Sequence, residues 1–148
     1  MRHSTASLLI LYLLLFPVFL FSQFSSPSWV DNACIYEVNI RQFSEDGTFE
    51  AFEEELPRLK EMGIDVIWLM PIHPIGELNR KGSMGSYYAV RDYKKVNPEF
   101  GDLNSFKSLV QSTHELGLKI IIDWVANHSS PDNIWIEQGK LDWYTLDS

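Results

Sequence analysis

Two junctions in this chain share one grammar. Glu61 to Leu69 reads EMGIDVIWL and Glu115 to Asp123 reads ELGLKIIID, 54 residues apart. In each, a helix end meets a glycine, and the glycine runs at once into a β-branched apolar stretch too short for a helix. A chain that repeats helix, glycine and buried strand is building βα units. Strands joined through helices pair in parallel, and near-continuous apolar strands of this kind belong to a sheet covered on both faces.

The elements around the junctions fit that reading. Ala33 to Phe43, ACIYEVNIRQF, is rich in strand formers and predicts a first strand. From Thr48, a plausible N-cap, the residues Phe49, Phe52, Leu56, Leu59 and Met62 recur at steps of three and four, the period of an amphipathic helix closed by Gly63. Pro57 lies inside that helix. An interior proline removes a hydrogen bond and clashes with the preceding turn at about 3 kcal/mol, so a kink or a restart is expected there. Ile64 to Met70 predicts the second strand, Asp102 to Gly117 a helix with Asp102 as N-cap, and Leu118 to Val125 the third strand.

Alternating strands and helices leave two architectures, a doubly wound sheet or a (β/α)8 barrel. No glycine-rich phosphate loop follows a strand, which weighs against nucleotide binding. The connection after Met70 runs for about 30 residues, whereas the helix-to-strand turns take one or two. Long loops on one side only are what a barrel produces when its site lies at the carboxyl ends of the strands. The fold class expected is therefore α/β, with about three βα units of a (β/α)8 TIM barrel.

Composition sets the surroundings. Leu8 to Phe21 is an unbroken apolar run of 14 residues, preceded by Arg2 and His3 and followed by small polar residues from Ser22. A bilayer span needs about 20 apolar residues, and this run is shorter and contains Pro17. It reads as a secretory signal over residues 1–22 rather than an anchor, so export to the periplasm or medium is expected, without stable membrane insertion. The barrel portion is then 29–148. A net charge of −8 repels phosphate backbones and argues against a nucleic-acid partner. Cys34 is the single cysteine, so neither an intrachain disulfide nor a thiolate cluster for zinc can form.

The third strand ends in IIIDWVANHSS, Ile120 to Ser130, where a buried run delivers Asp123, Asn127 and His128 in quick succession. Asn127 to Pro131 could be turn chemistry alone, with side chains satisfying local backbone groups. Asn127-His128-Ser129 also matches a glycosylation sequon, a frequent chance pattern. His114-Glu115 begins like a zinc protease motif, but Leu118 occupies the second histidine's place. Trp68 and Trp124 read as core residues, and Tyr87 stays open between loop packing and the site.

WLMPIHPIG, followed by GSYYAVRDYKKVNPEFGDLNSFKSLVQSTHELGLKIIIDWVANHSS, resembles the α-amylase family of glycoside hydrolases across nearly all of Ala33 to Ser130. DWVANH matches that family's D-x-x-x-N-H signature at the end of the third barrel strand. The resemblance implies that Asp123 orients an arginine beside the nucleophile, that His128 hydrogen-bonds a glucose hydroxyl, and that Tyr88 stacks under the sugar. It also implies that Asn127 ligates a structural calcium ion, Ca2+. An aromatic ring suits the C–H face of a pyranose, which accounts for the residue type at Tyr88.

What the resemblance implies for chemistry lies outside the chain. A retaining glycosidase needs two carboxyl groups about 5 to 5.5 Å apart, and in the family these follow strands four and five. None of the 20 acids here matches those motifs. A typical barrel takes about 250 residues, so the chain reads as an N-terminal fragment with no catalytic residue of its own, the nucleophile and acid/base being expected beyond residue 148. Alone it should be inactive. The activity implied is retaining hydrolysis of α-1,4-glucans such as starch and maltodextrins, with an α-glucan as partner. The alternatives are a transglycosylase or isomerase of the same family, or a non-catalytic amylase-like subunit associated with a transporter.

Overall fold

Gly63 and Gly117 end their helices in the left-handed region, at φ 85° and 71°. Each turn closes in the same way. Gly63 N–H donates to Lys60 O and Ile64 N–H to Leu59 O, at 3.0 and 3.2 Å; Gly117 N–H donates to His114 O and Leu118 N–H to Thr113 O, at 2.9 and 3.0 Å. This paired closure satisfies the last helical carbonyls and throws the chain directly into a strand. The repeated grammar is thus one repeated turn.

The structure is a computed structural model that describes residues 26–145. The chain divides into two units, Met1–Asp31 and Asn32–Ser148. The apolar run Leu8 to Phe21 and its expected export signal lie outside the described residues. Among the described residues no helix is long and apolar enough to cross a membrane.

The second unit holds a parallel sheet in the order β1 (Ile35–Val38), β2 (Val66–Leu69), β3 (Lys119–Ile122). Between β1 and β2 lie α1 (Ile40–Phe43), α2 (Phe49–Glu53) and α3 (Leu56–Glu61); α4 (Leu103–Glu115) joins β2 to β3. A short α5 (Ile134–Glu137) and a 3-10 turn, Leu141–Trp143, follow. The Thr48 side chain accepts from Ala51 N–H, as an N-cap should. Asp102 and Ser105 form a reciprocal capping box on α4. Pro57 stands in the first turn of α3, where its missing N–H costs nothing, so the expected long helix stops and restarts.

The first strand is shorter than its composition predicts. After Val38 the chain turns into α1, which buries Ile40 and sets Phe43 edge-on against Phe52 with ring centroids 4.7 Å apart. Ile40 and Phe43 are three residues apart, a spacing that serves one face of a helical turn better than a strand.

Register assigns the two faces. Tyr36, Ile67 and Ile120 stand side by side and pack on the helices, as do Leu69 and Val38. Their partners in the core are Phe49, Phe52, Leu56 and Leu59 from α2 and α3, with Leu109 and Leu118. Each fully buried side chain of this size contributes about 1.5 to 3 kcal/mol. Glu37, Trp68 and Ile121 occupy the alternate row, on the opposite face. The expectation of a sheet covered on both faces holds for β2 and fails at β3, where Ile121 is 45% and Ile122 38% exposed. Trp124, expected in the core, is 59% exposed. A strand's apolar content states what it must bury, and its neighbours decide whether it does.

The long connection after β2 is a built excursion. Ile75 and Val90 form an antiparallel bridge, flanked by Gly76 N–H to Ala89 O and Arg91 N–H to Pro74 O, both 2.8 Å. Inside this neck the Arg80 guanidinium donates to the carbonyls of Gly76, Ile75 and Ser83 at 2.8, 3.1 and 3.4 Å.

Candidate functional site

The end of β3 delivers its side chains by simple continuation. Asp123 N–H donates to Leu69 O at 2.8 Å, extending the ladder one residue past the strand, so Asp123 falls on the face of Ile121 rather than on the helix face. The excursion from β2 brings Tyr88 to meet it. The Tyr88 hydroxyl donates to Asp123 Oδ2 at 2.9 Å across 35 residues of sequence. That bond, with burial and the charges of Asp123 and Glu37, holds the Tyr88 phenol above its ordinary value. Tyr88 is 37% exposed, which leaves ring surface open to a ligand.

Asn127 and His128 occupy the loop beyond. Asn127 Nδ2 lies 3.4 Å from His128 Nδ1, and both residues are exposed. Among the described residues no hydrogen bond joins His128 to the Tyr88–Asp123 pair. The loop itself is tied down from the β2 side, because the Tyr93 hydroxyl lies 2.7 Å from Val125 O and 2.8 Å from His128 O. Burial raises the Tyr93 phenol, and Tyr144 adds to the effect.

Two groups of functional interest escaped the sequence. Glu37 sits on β1 in the row of Trp68 and Ile121, and its charge acts on Tyr88. A lone acid within a β-branched strand was the available signal. The second group is aromatic. Tyr93 stacks on Trp135 at 5.0 Å and 18° and lies 4.9 Å from Trp124, while Trp143 meets Trp135 edge-on at 5.4 Å. These rings border a cleft of about 580 Å3 that also reaches Asn127 and His128. Tyr87 resolves toward packing: its ring lies against the core and under the Arg41 guanidinium, 4.6 Å away.

Calcium finds little at Asn127. The ion takes six to eight oxygen ligands, and among the described residues no three His, Cys, Asp or Glu side chains gather to hold a metal. Asn127 offers one amide oxygen, and that alone does not make a calcium site.

A parallel sheet flanked by helices, with an aromatic ring and a carboxylate meeting where the strands end, has the arrangement of an α/β enzyme whose ligand binds outside the carboxyl ends of its strands. The chain belongs to the α-amylase family: the family described as "Alpha amylase, catalytic domain" matches residues 25–144. It is similar to a crystal structure of an α-amylase from Lactobacillus plantarum, with 46% identity and a TM-score of 0.76 over 78% of this chain and 27% of that one. It is 36% identical to an α-1,4-glucan:maltose-1-phosphate maltosyltransferase of Salinibacter ruber, over 68% of this chain and 18% of the relative. To a trehalose synthase/amylase of Mycobacterium tuberculosis it is 37% identical, over 80% of this chain and 20% of the relative. The family thus spans varied activities, and the chain spans about a fifth of the length of these curated relatives.

Proposed function

We propose that this chain supplies the first three βα units of a (β/α)8 barrel in an exported, retaining α-amylase-type hydrolase of α-1,4-glucans. The observation that carries the reading is the hydrogen bond between Tyr88 and Asp123 at the strand ends. It holds an exposed aromatic ring beside a carboxylate, and that pairing suits a pyranose, whose C–H face takes the ring while its hydroxyls take polar groups. In this reading Tyr88 stacks under the sugar, Asp123 presents its free oxygen to an arginine, and His128 donates to or accepts from a glucose hydroxyl. The nucleophile and acid/base come from beyond residue 148. A calcium ion at Asn127 would need further oxygens beside its amide, from carbonyls, carboxylates or water.

The test uses the reading frame that carries this segment through the remaining strands. His128→Ala and Tyr88→Ala should each lower kcat/KM on maltooligosaccharides by about 1 to 3 kcal/mol of transition-state binding while leaving the fold intact. Unchanged values for both variants defeat the assignment. The 148-residue chain by itself should release no sugar from soluble starch or an aryl maltoside, and intact-mass measurement on exported protein should find residues 1–22 removed.

The names of the maltosyltransferase and trehalose synthase relatives favour a second reading, transglycosylation or isomerisation on the same scaffold. Product analysis with maltose as sole substrate separates the two: two glucose per maltose consumed, with no other sugar formed, marks hydrolysis, while a rearranged disaccharide, or a lengthened glucoside with one glucose released for each unit transferred, marks isomerisation or transfer.

A further inference from the structure

Tyr88 reaches Asp123 from a long excursion, and something must fix the excursion. The neck bridge holds one side of it, with Gly76 N–H on Ala89 O at 2.8 Å, while Tyr88 N–H itself meets the nearby Ser86 hydroxyl at 3.2 Å. Two residues later the chain is gripped hard. Val90 O accepts Ser130 N–H at 3.0 Å and Asn133 Nδ2–H at 3.0 Å, and Ile134 N–H donates to Arg91 O at 3.0 Å. The Ser130 hydroxyl also lies 3.1 Å from Val90 O, but its one proton is contested by the Asp132 carboxylate. Asn133 has no such conflict. It is fully buried, its amide nitrogen serves Val90, and its amide oxygen accepts Trp135 N–H at 2.9 Å as the N-cap of α5.

These contacts close a ring. From Asp123 the chain runs on to Ser130 and Asn133, crosses by hydrogen bonds to Val90, steps back two residues to Tyr88, and returns to Asp123 through the phenol. We infer that Asn133 is a positioning residue, which sets the Tyr88 ring against Asp123 by holding the Val90 carbonyl. A buried carbonyl with two good donors has one preferred place. Replacing the amide by an ionised carboxylate keeps the N-cap acceptor and sets oxygen against oxygen at Val90, and it also buries a charge, so a neutral second variant accompanies it. The inference rests on the reading of Tyr88 as a sugar platform for its purpose, but not for its test.

The test reads Tyr88 with no sugar present. The full chain is labelled with 13C-tyrosine, and the Tyr88 ring signal is assigned by its disappearance in Tyr88→Phe. In Asn133→Asp the Tyr88 signal should shift, and the phenol, which faces Asp123 and Glu37, should titrate closer to its ordinary value. Asn133→Ser keeps a small cap too short to reach Val90 and should give the same shift, which covers the case in which Asn133→Asp does not fold. Thr113→Val removes an unrelated buried hydrogen bond, from Thr113 Oγ1 to Leu109 O, and should destabilise without moving Tyr88. A Tyr88 signal and titration unchanged in either folded Asn133 variant overturn the inference. So does an equal shift in Thr113→Val, because Tyr88 would then be reporting general loosening. If Tyr88 moves as expected while Tyr88→Ala leaves glucan turnover intact, the positioning stands and the sugar platform falls.

Discussion

β2 and β3 are made of the same kinds of residue and live in different surroundings. Val66, Ile67 and Leu69 are nearly closed to solvent, at 4%, 0% and 0% exposure; Ile121 and Ile122 in the adjacent strand stand at 45% and 38%. Among the described residues β2 has a hydrogen-bonded strand on each side, whereas β3 pairs with β2 alone. The difference lies in position within the sheet and not in the side chains. An exposed β-branched row of this kind is sticky and favours self-association.

Four substitutions would break or sharpen the contrast. Phe52→Ala, under β2 and fully buried, should cost about 3 to 5 kcal/mol in urea unfolding, because it leaves a cavity that its neighbours cannot fill. A loss below about 1 kcal/mol there would mean that the closed side is not the stable one. Tyr93→Phe, which deletes the hydroxyl between Val125 O and His128 O, should cost about 1 kcal/mol by the same measurement.

Asp132→Asn should cost somewhat less, below about 1 kcal/mol after allowance for solvent screening, and its cost should depend on pH. Burial alone would raise the Asp132 carboxyl. Donation from Glu77 N–H, the Ser130 hydroxyl and Leu78 N–H outweighs it and holds the group below its ordinary value of 3.8. A lowered carboxyl stabilises the fold above its unfolded value and loses that contribution as the pH falls through the folded one. The gap between the parent chain and Asp132→Asn should therefore stay constant from neutrality to about pH 5 and narrow below the ordinary carboxyl value. A gap that widens with acid would contradict the sign. Smallest in stability is Ile121→Thr on the open side, at below about 0.5 kcal/mol, yet it should visibly reduce concentration-dependent light scattering.

Much of this was legible in the residues, for physical reasons. Gly63, Gly117, Thr48, Asp102 and Pro57 act within one helical turn, so local chemistry states their role wherever the turn sits. Tyr88 and Asp123 were named from separate stretches with separate roles, and it is the fold that brings them into contact, which neither periodicity nor the resemblance stated. The failures were of another kind. Ile40 and Phe43 are strand formers by type, and their three-residue spacing tells only once Phe52 gives the turn a surface to pack on. Trp124 looks like core because it is apolar, and only the arrangement of neighbouring elements leaves it outside. Asn133, within Pro131-Asp132-Asn133, reads as an ordinary turn residue, and nothing in the string reveals that its amide serves a carbonyl 43 residues earlier.

The Arg80 staple has an evolutionary meaning. The excursion from β2 is tied across its neck by Ile75 and Val90 and knotted internally by one guanidinium, so what happens at its tip, around Lys81 to Ser83, need not be felt at Tyr88. Residues can be gained or lost there as on a bracket whose bolts are elsewhere. A lineage could thus try new contacts at the rim while the Tyr88–Asp123 pair beneath keeps its place, one insertion at a time.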